Sequence, residues 1–583
     1  MNQVKLRMTI LRLVTVCIVG ILIYNLFHIQ VIEGRNWADM ADNNRFRHLE
    51  ITAPRGKIIS SDGVELAANI PRYDVALADE QDSIKREQAI DMLSQLLDLD
   101  VEDIQDRLAK AGARFKPAVI ESNVDFETVL MLEEHRHLIP GLEIQTVPQR
   151  VYPQKTVLAH VLGRLIDGRG AEGLEYQWEE HLGGKDGFSV VQVNAAGRPV
   201  EDPVNSQPAV PGSDLHLTID AGLQQAIQES MQRVLEKLRE NYDLEDAWSG
   251  GVVVTDPNTG SVLAMVSEPS FDNNKKYSSS AWDANLPESS RVRSLSDRTI
   301  NTRSVVGSTF KMLTGMAALE NGHVTPNERI YDPGVKDVAG FTVRNYGRSA
   351  YGNIDMRRAL QVSSNVYFGT MGNRVGREQL YEYIDKFGMT GLAMGDSDEN
   401  VLKNAGFTDL SRGEQVYSLD YYKDRIKRGT SFYPGDLVQS AYGQRNEFTV
   451  MQMANYVSML ANGGTHYRPH IVREIVDANG ETVELFPPEV LAEQDFDSDA
   501  ILAIREGMRA AASGSRFRDL PFAIAGKTGT AEEWGWDNHA WWVGYAPYDE
   551  PEIAIAIHLD YGGLGLRSEE VARDIIDYYF DLE

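Results

Sequence analysis

The chain almost lacks cysteine. Cys17 is the only one in 583 residues, which excludes intrachain disulfides and thiolate metal sites. No His-Glu-x-x-His run occurs, and His135 and His137 lie in a polar helical stretch. No metal and no other cofactor is therefore expected. Positive charge is also short: 57 Lys and Arg stand against 86 Asp and Glu, a formal net charge of −29. No basic stripe remains to displace phosphate counterions, which argues against nucleic acid as a partner. Fixed-period repeats and low-complexity tracts are absent as well. What remains is a globular composition, 42% hydrophobic, long enough for two or more domains with substantial cores.

One further absence is local. No acidic residue precedes Glu33, while Lys5, Arg7 and Arg12 lead into the apolar run LVTVCIVGILIYNLFHIQVI, Leu13 to Ile32. About 20 such residues suffice to cross a bilayer, and positive charge on the amino side keeps that end in the cytoplasm. A cleaved signal peptide fits less well, because the run is long and EGRNWADM offers no small-x-small cleavage site. The expectation is a cytoplasmic segment over 1–12, a single-pass anchor over 13–32, and everything beyond it outside the cytoplasm.

From Asn43 to about Pro211, short strands alternate with short helices. GKIISSDGVELA reads as a hairpin turning at Asp62-Gly63. Helices are expected around Glu87 to Leu97, from Asp100 to Gly112, and from an Asp125 amino cap to about His137. The proline-rich, aperiodic stretch EDPVNSQPAVPGSD, Glu201 to Asp214, marks a boundary. That gives a first domain over 33–211 and a second over 212–583. The second opens with a helix, Ala221 to Leu238. GGVVVTDPNTGSVLAMVSEP then reads as strand–turn–strand, HAWWVGYAP and PEIAIAIHLDY as two more strands, and Ser568 to Phe580 as a closing helix. Strands at both ends with helices between predict an α+β domain, one antiparallel sheet covered by helices.

The segment PFAIAGKTGTA, Pro521 to Ala531, contains the Gly-Lys-Thr that ends a phosphate loop. That loop requires a glycine five positions before Gly526. Here the position is Pro521, which has no N–H to offer a phosphate. A lysine and two hydroxyls on a strand suit a substrate carboxylate instead: Lys527 supplies charge, Thr528 and Thr530 short donors, and Gly529 removes bulk beside the strand. Such a strand presents an edge to an extended peptide.

Two other elements accompany it. In SVVGSTFKMLTGMAALENG, Ser308 and Lys311 sit three apart at the start of an apolar helix, on one face. The helix amino end favours charge development at Ser308. Lys311, drawn among apolar residues, loses hydration and becomes available as a neutral base. That is the logic of an activated serine. In QVSSNVYFGTMG, Ser363 and Asn365 place a hydroxyl and an amide two residues apart, suited to relaying a proton and holding a substrate amide. Alone, each element is more often a surface turn, a solvated lysine or an ordinary helix cap.

Together and in this order they are specific. Ser308-Thr309-Phe310-Lys311, Ser363-Ser364-Asn365 and Lys527-Thr528-Gly529 resemble the three motifs of penicillin-binding proteins and serine β-lactamases. APRGKIISSDGVELA, RVYPQKTVLAHVLG and GLEYQWEEHLGGKDG resemble the pedestal of class B penicillin-binding proteins, so the likeness spans nearly the whole chain. The resemblance implies a membrane-anchored α+β protein, a pedestal followed by a D,D-transpeptidase domain, crosslinking peptidoglycan stem peptides in cell-shape maintenance. Ser308 would attack the bond between terminal D-alanines with Lys311 as base. Ser363 would pass the proton on, and Asn365 would hold Lys311 or the substrate amide. Lys527, Thr528 and Thr530 would bind the terminal carboxylate beside Gly529, and the N–H groups of Ser308 and Thr530 would meet the oxyanion. β-Lactams would acylate the same serine. Expected partners are a SEDS-family glycosyltransferase and other elongation-complex membrane proteins.

NNRFRHLEITAPRGKI and SEEVARDIIDYYF look closer to the elongation-type members, the penicillin-binding protein 2 group, than to division-type members. A β-lactamase or β-lactam sensor, and a scaffold that activates a glycosyltransferase, are the alternatives. The chain departs from the family at Val305-Val306, where Pro-Pro is usual, and at Arg445, where a second glycine is usual. The polar stretch from Gly391 to Tyr433, toward the acceptor side, is hard to align.

Overall fold

The computed structural model describes residues 2–32, 46–78, 82–110, 117–192, 205–275, 296–390, 419–429, 433–514 and 516–582. The expected helix end at Gly112, most of the Gly391–Tyr433 stretch and the first part of the Glu201–Asp214 boundary lie outside these residues. The chain forms two compact units that interleave in sequence. One contains Met1–Arg55, Asn69–Arg150 and Gly184–Pro211; the other contains Gly56–Ala68, Val151–Gly183 and Gly212–Glu583.

The larger unit is built on a five-stranded antiparallel sheet in the order Val262–Glu268, Gly250–Thr255, Ile553–Leu559, His539–Ala546, Ala525–Ala531. Four of the strands are continuous apolar runs because both faces are covered, and the period of two sorts their residues. Val252, Val254, Trp542, Ile555 and Ile557 pack with Ile227, Met231, Val571 and Ile575, from helices Ala221–Tyr242 and Glu569–Tyr579. Val253, Trp541, Val543, Ala554 and Ala556 join the larger cluster that contains Phe310, Leu313 and Met316. Helix Lys311–Glu320 is apolar on all sides and buried from Lys311 to Leu319, as a core helix must be. The α+β expectation for this region therefore holds. The opening helix runs four residues further than the pattern suggested, ending at Tyr242.

In the smaller unit, the later residues of strand Glu65–Leu77 pair with Ala118–Val124 through Tyr73↔Val124 and Leu77↔Ala118. Val75, Leu77, Ile90, Leu93, Ile104 and Leu132 form its core. Helix Ser83–Leu97 starts earlier than expected because Asp82 caps it, accepting from the Ile84 and Lys85 N–H groups. Asp125 caps Phe126–Glu134 as expected, accepting from Thr128 N–H at 2.7 Å. That helix stops before His137, and a 3-10 turn, Arg136–Leu138, follows. At the amino end, helix Asn2–Phe27 leaves Val16, Ile18, Ile21 and Leu22 exposed. Among the described residues no helix is long and apolar enough to cross a membrane.

Candidate active site

Ser308 lies in a 3-10 turn, Gly307–Phe310, that leads into the buried helix; the Lys311 N–H closes the turn on the Ser308 carbonyl. Side chains three apart eclipse one another in a 3-10 turn. The turn therefore keeps Ser308 and Lys311 on one side, as the expected α-helix would. Gly307 has φ +56°, and a Cβ there would stand 2.5 Å from the Thr530 carbonyl oxygen. Only glycine fits, so the serine turn rests directly on the Lys527 strand.

Lys311 is fully buried, and its Nζ donates to the Ser363 carbonyl at 2.7 Å and to Asn365 Oδ1 at 2.7 Å; Ser363 Oγ is 3.1 Å away. Burial, reinforced by the Lys527 ammonium and opposed by Asp332, pushes Lys311 well below the ordinary lysine range. A neutral amine has two N–H donors and one lone pair. The two carbonyl oxygens use the donors, which leaves the lone pair for a hydroxyl proton. Asn365 Nδ2 donates to the Arg344 carbonyl at 3.0 Å, which fixes Oδ1 toward the lysine.

Ser363 occupies the left-handed region, with φ +55°. A serine there is strained, and such strain persists only where its surroundings hold it. Here they do. Ser364 caps helix Asn365–Lys386, accepting from Tyr367 N–H at 2.9 Å and donating to Asp332 Oδ2 at 2.5 Å. Asp332, fully buried, also accepts from Asn345 Nδ2 and the Gly334 N–H. Asp332 and Asn345 went unseen in the sequence, where no motif joins them to Ser364.

Lys527, Thr528, Gly529 and Thr530 lie on the edge strand Ala525–Ala531. The Thr530 carbonyl accepts from Gln444 Nε2 at 2.9 Å rather than from the neighbouring strand. In an antiparallel ladder a residue's N–H and C=O point the same way, so the Thr530 N–H also faces the free edge, beside the Gly307 turn. Lys527 is buried, and its Nζ donates to the Thr528 carbonyl at 2.9 Å on that edge. Burial, partly offset by Glu569, pushes its pKa down to about 8. The Thr530 hydroxyl accepts from Gly565 N–H at 3.0 Å, which leaves its own proton free to donate.

Residues 250–577, more than half of the chain, match the penicillin-binding protein transpeptidase domain, and residues 50–217 match the penicillin-binding protein dimerisation domain. The chain belongs to the penicillin-binding protein transpeptidase family. The peptidoglycan D,D-transpeptidase MrdA of Haemophilus influenzae is 26% identical to this transpeptidase, over 96% of this chain and 89% of that one. The Escherichia coli K12 protein of the same name is 27% identical over 96% and 91%. Among solved structures, a Helicobacter pylori PBP2 in complex with MreC superposes with a TM-score of 0.71 at 21% identity, covering 92% of this chain and 99% of that one. A chain from a peptidoglycan synthase complex coordinating polymerization and crosslinking gives 0.71 at 26% identity, covering 99% of each.

Two of the departures from the family pattern have a local structural setting. With valine in place of Pro-Pro, Ser304–Val305 pairs with Glu447–Phe448, and the Val305 carbonyl accepts from Trp541 Nε1 at 3.0 Å. Hydrogen bonds thus steady the approach to Ser308 in this transpeptidase. Arg445 donates to Gln439 Oε1 at 2.6 Å, while its neighbour Gln444 grips the Lys527 strand through Thr530 and the Glu532 N–H. Gln444 too was missed by motif reading.

Proposed function

We propose that this chain is a serine-type peptidoglycan D,D-transpeptidase in which Ser308 is the nucleophile and Lys311 its base. The Lys311 amine takes the Ser308 hydroxyl proton as Oγ attacks the carbonyl between two terminal D-alanines. The peptide C–N bond breaks, the proton passes through Ser363 to the departing amine, and an acyl-enzyme remains. An amine from a second stem peptide then takes the acyl group. Asn365 holds Lys311, while Lys527, Thr528 and Thr530 hold the terminal carboxylate at the strand edge beside Gly529. The first N–H groups of a helical turn have no intrahelical partner. The Ser308 N–H and the outward Thr530 N–H thus form a two-donor oxyanion site, each donor worth about 3–4 kcal/mol in comparable enzymes. The contacts of the buried Lys311 amine with Ser363 and Asn365 carry this reading.

The dimerisation-domain match over 50–217 supports the pedestal-plus-transpeptidase division at about residue 211 and is left without a role in a β-lactamase or sensor reading. The exposed apolar helix Asn2–Phe27, with Lys5, Arg7 and Arg12 on its amino side, supports a single-pass anchor over 13–32 with the catalytic unit outside the cytoplasm. The two relatives solved in assemblies support partners of the elongation type, an MreC-like protein and a polymerase, and a SEDS-family glycosyltransferase is the polymerase we propose.

Labelling the purified chain with a fluorescent penicillin and mapping the modified peptide tests the assignment. A long-lived adduct on Ser308, absent from Ser308→Ala, is expected. An adduct elsewhere, or rapid turnover of the drug, overturns it.

A further inference from the structure

Two adjacent strands end in titratable side chains that the chemistry above does not use. His539 opens strand His539–Ala546; His558 lies near the end of Ile553–Leu559, with Asp560 just beyond it. The register Trp541↔His558 and Ala540↔Leu559 brings His539 opposite Asp560. The pleat puts His558 and Asp560 on one face, with His539 and Trp541 on that same face of the next strand. All three groups are buried, and one ligand atom from each lies within 4.8 Å of the others, the one such His/Asp cluster among the described residues.

The spacing suits an ion better than a hydrogen-bonded triad. Asp560 Oδ1 is 3.5 Å from His539 Nδ1 and 3.7 Å from His558 Nδ1. Ligands on a tetrahedral zinc at about 2.0–2.2 Å stand roughly 3.3–3.6 Å apart. His558 faces Asp560 through Nδ1, and its ring stacks on Trp541 with centroids 4.3 Å apart. The other carboxylate oxygen, Asp560 Oδ2, accepts from Ser249 Oγ at 2.5 Å and Arg298 Nε at 3.3 Å, which turns Oδ1 toward the imidazoles. Outer contacts of this kind orient metal ligands. His539 Nδ1 accepts one long bond, from Tyr561 N–H at 3.3 Å, which a cation there displaces. Burial favours the neutral imidazoles that a metal requires.

His539 and Asp560 also line a cavity of about 400 Å³ whose walls include Asp246, Glu447 and Glu533 against Arg298 and Arg303. We propose that His539, His558 and Asp560 form a zinc-type divalent cation site, its fourth position open to water in this cavity. Two imidazoles and one carboxylate select a late first-row ion such as Zn²⁺ over Mg²⁺ or Ca²⁺, which prefer oxygen ligands. The ion would steady Trp541, which stacks on His558 and bonds the Val305 carbonyl three residues before Ser308. This reverses the expectation of no metal, and it stands independently of the transpeptidase assignment.

The test uses the full purified chain in detergent, stripped with a chelator and titrated with Zn²⁺, and with Co²⁺ as a spectroscopic probe. One equivalent per chain is expected, with the visible band of tetrahedral cobalt. His539→Gln and His558→Gln should each weaken binding by at least about tenfold, the scale that even an outer-contact change produces. Zn²⁺ but not Mg²⁺ should raise the thermal midpoint by mass action. No stoichiometric uptake, or uptake unchanged in both variants, overturns the proposal. Should the variants not fold, an anomalous difference map at the zinc edge from wild-type crystals decides: a peak among the three side chains supports the site, and a peak elsewhere or none ends it.

Discussion

The two buried lysines of the site sit in different surroundings, and the proposed mechanism gives them opposite tasks. Lys311 rises from a core helix and meets three oxygens of the Ser363–Asn365 segment. Lys527 lies on an edge strand and meets one backbone carbonyl. Both are pushed down by burial, but Lys311 also feels the charge of Lys527, whereas Lys527 is partly restored by Glu569. In the mechanism proposed above, Lys311 gives up its proton and serves as base, while Lys527 keeps its own and serves as anion receptor.

Removing the base should break this division most severely. Lys311→Met keeps the bulk and loses the lone pair, so penicillin acylation should fall by about 10⁴-fold, the upper range for a general base. Stopped-flow labelling checks this, and a loss under tenfold would move the base elsewhere. Ser363→Gly separates chemistry from fold: it relieves the left-handed strain while deleting the relay hydroxyl. Crosslinking should drop by about 10²-fold while the thermal midpoint holds or rises; a lower midpoint would mean that the hydroxyl is structural. Asp332→Ala removes the acceptor for Ser364, Asn345 and Gly334, and should cost about 3 kcal/mol of stability with partial loss of acylation. A denaturant titration reads the first and penicillin labelling the second; unchanged values for both would deny Asp332 its positioning role.

The smallest effect sharpens the comparison through pH. Acylation should rise with pH as Lys311 loses its proton, then fall above about 8 as Lys527 loses its own. Lys527→Arg stays charged, so the alkaline limb should disappear; a limb that persists would belong to another group. Stability moves the other way across that range. Between about 8 and the ordinary lysine value of 10.5, the unfolded chain binds more protons than the folded one, so Lys527 makes stability rise with pH. The handicap of burying its cation is full below the folded value and gone above the unfolded one.

Much of this was legible before any coordinates. The strand pairs around Gly250–Glu268 and His539–Leu559 are long apolar runs between turn signals, and Asp125 caps its helix as expected, whereas the Asp82 cap was not read. The three motifs pointed to Ser308, Lys311, Ser363, Asn365 and Lys527 because the chemistry demands those residue types at those spacings. Asp332, Asn345 and Gln444 were illegible: each acts on a residue far away in sequence, and a lone polar residue carries no spacing signal. The His539, His558 and Asp560 cluster was hidden for a related reason. Its members come from two strands, so their separation reflects the length of a connection rather than a coordination pattern.

The amino-acid sequence by itself determined many of the elements, the family and the candidate reactive groups, because periodicity, capping and short-range motifs are encoded locally. The tertiary structure alone decided how far each lysine is pushed from its ordinary range and how Ser363 is held. It also decided which edge of the sheet faces the serine turn. Proton affinity depends on burial and on neighbouring charge, and both arise only once distant segments have packed together.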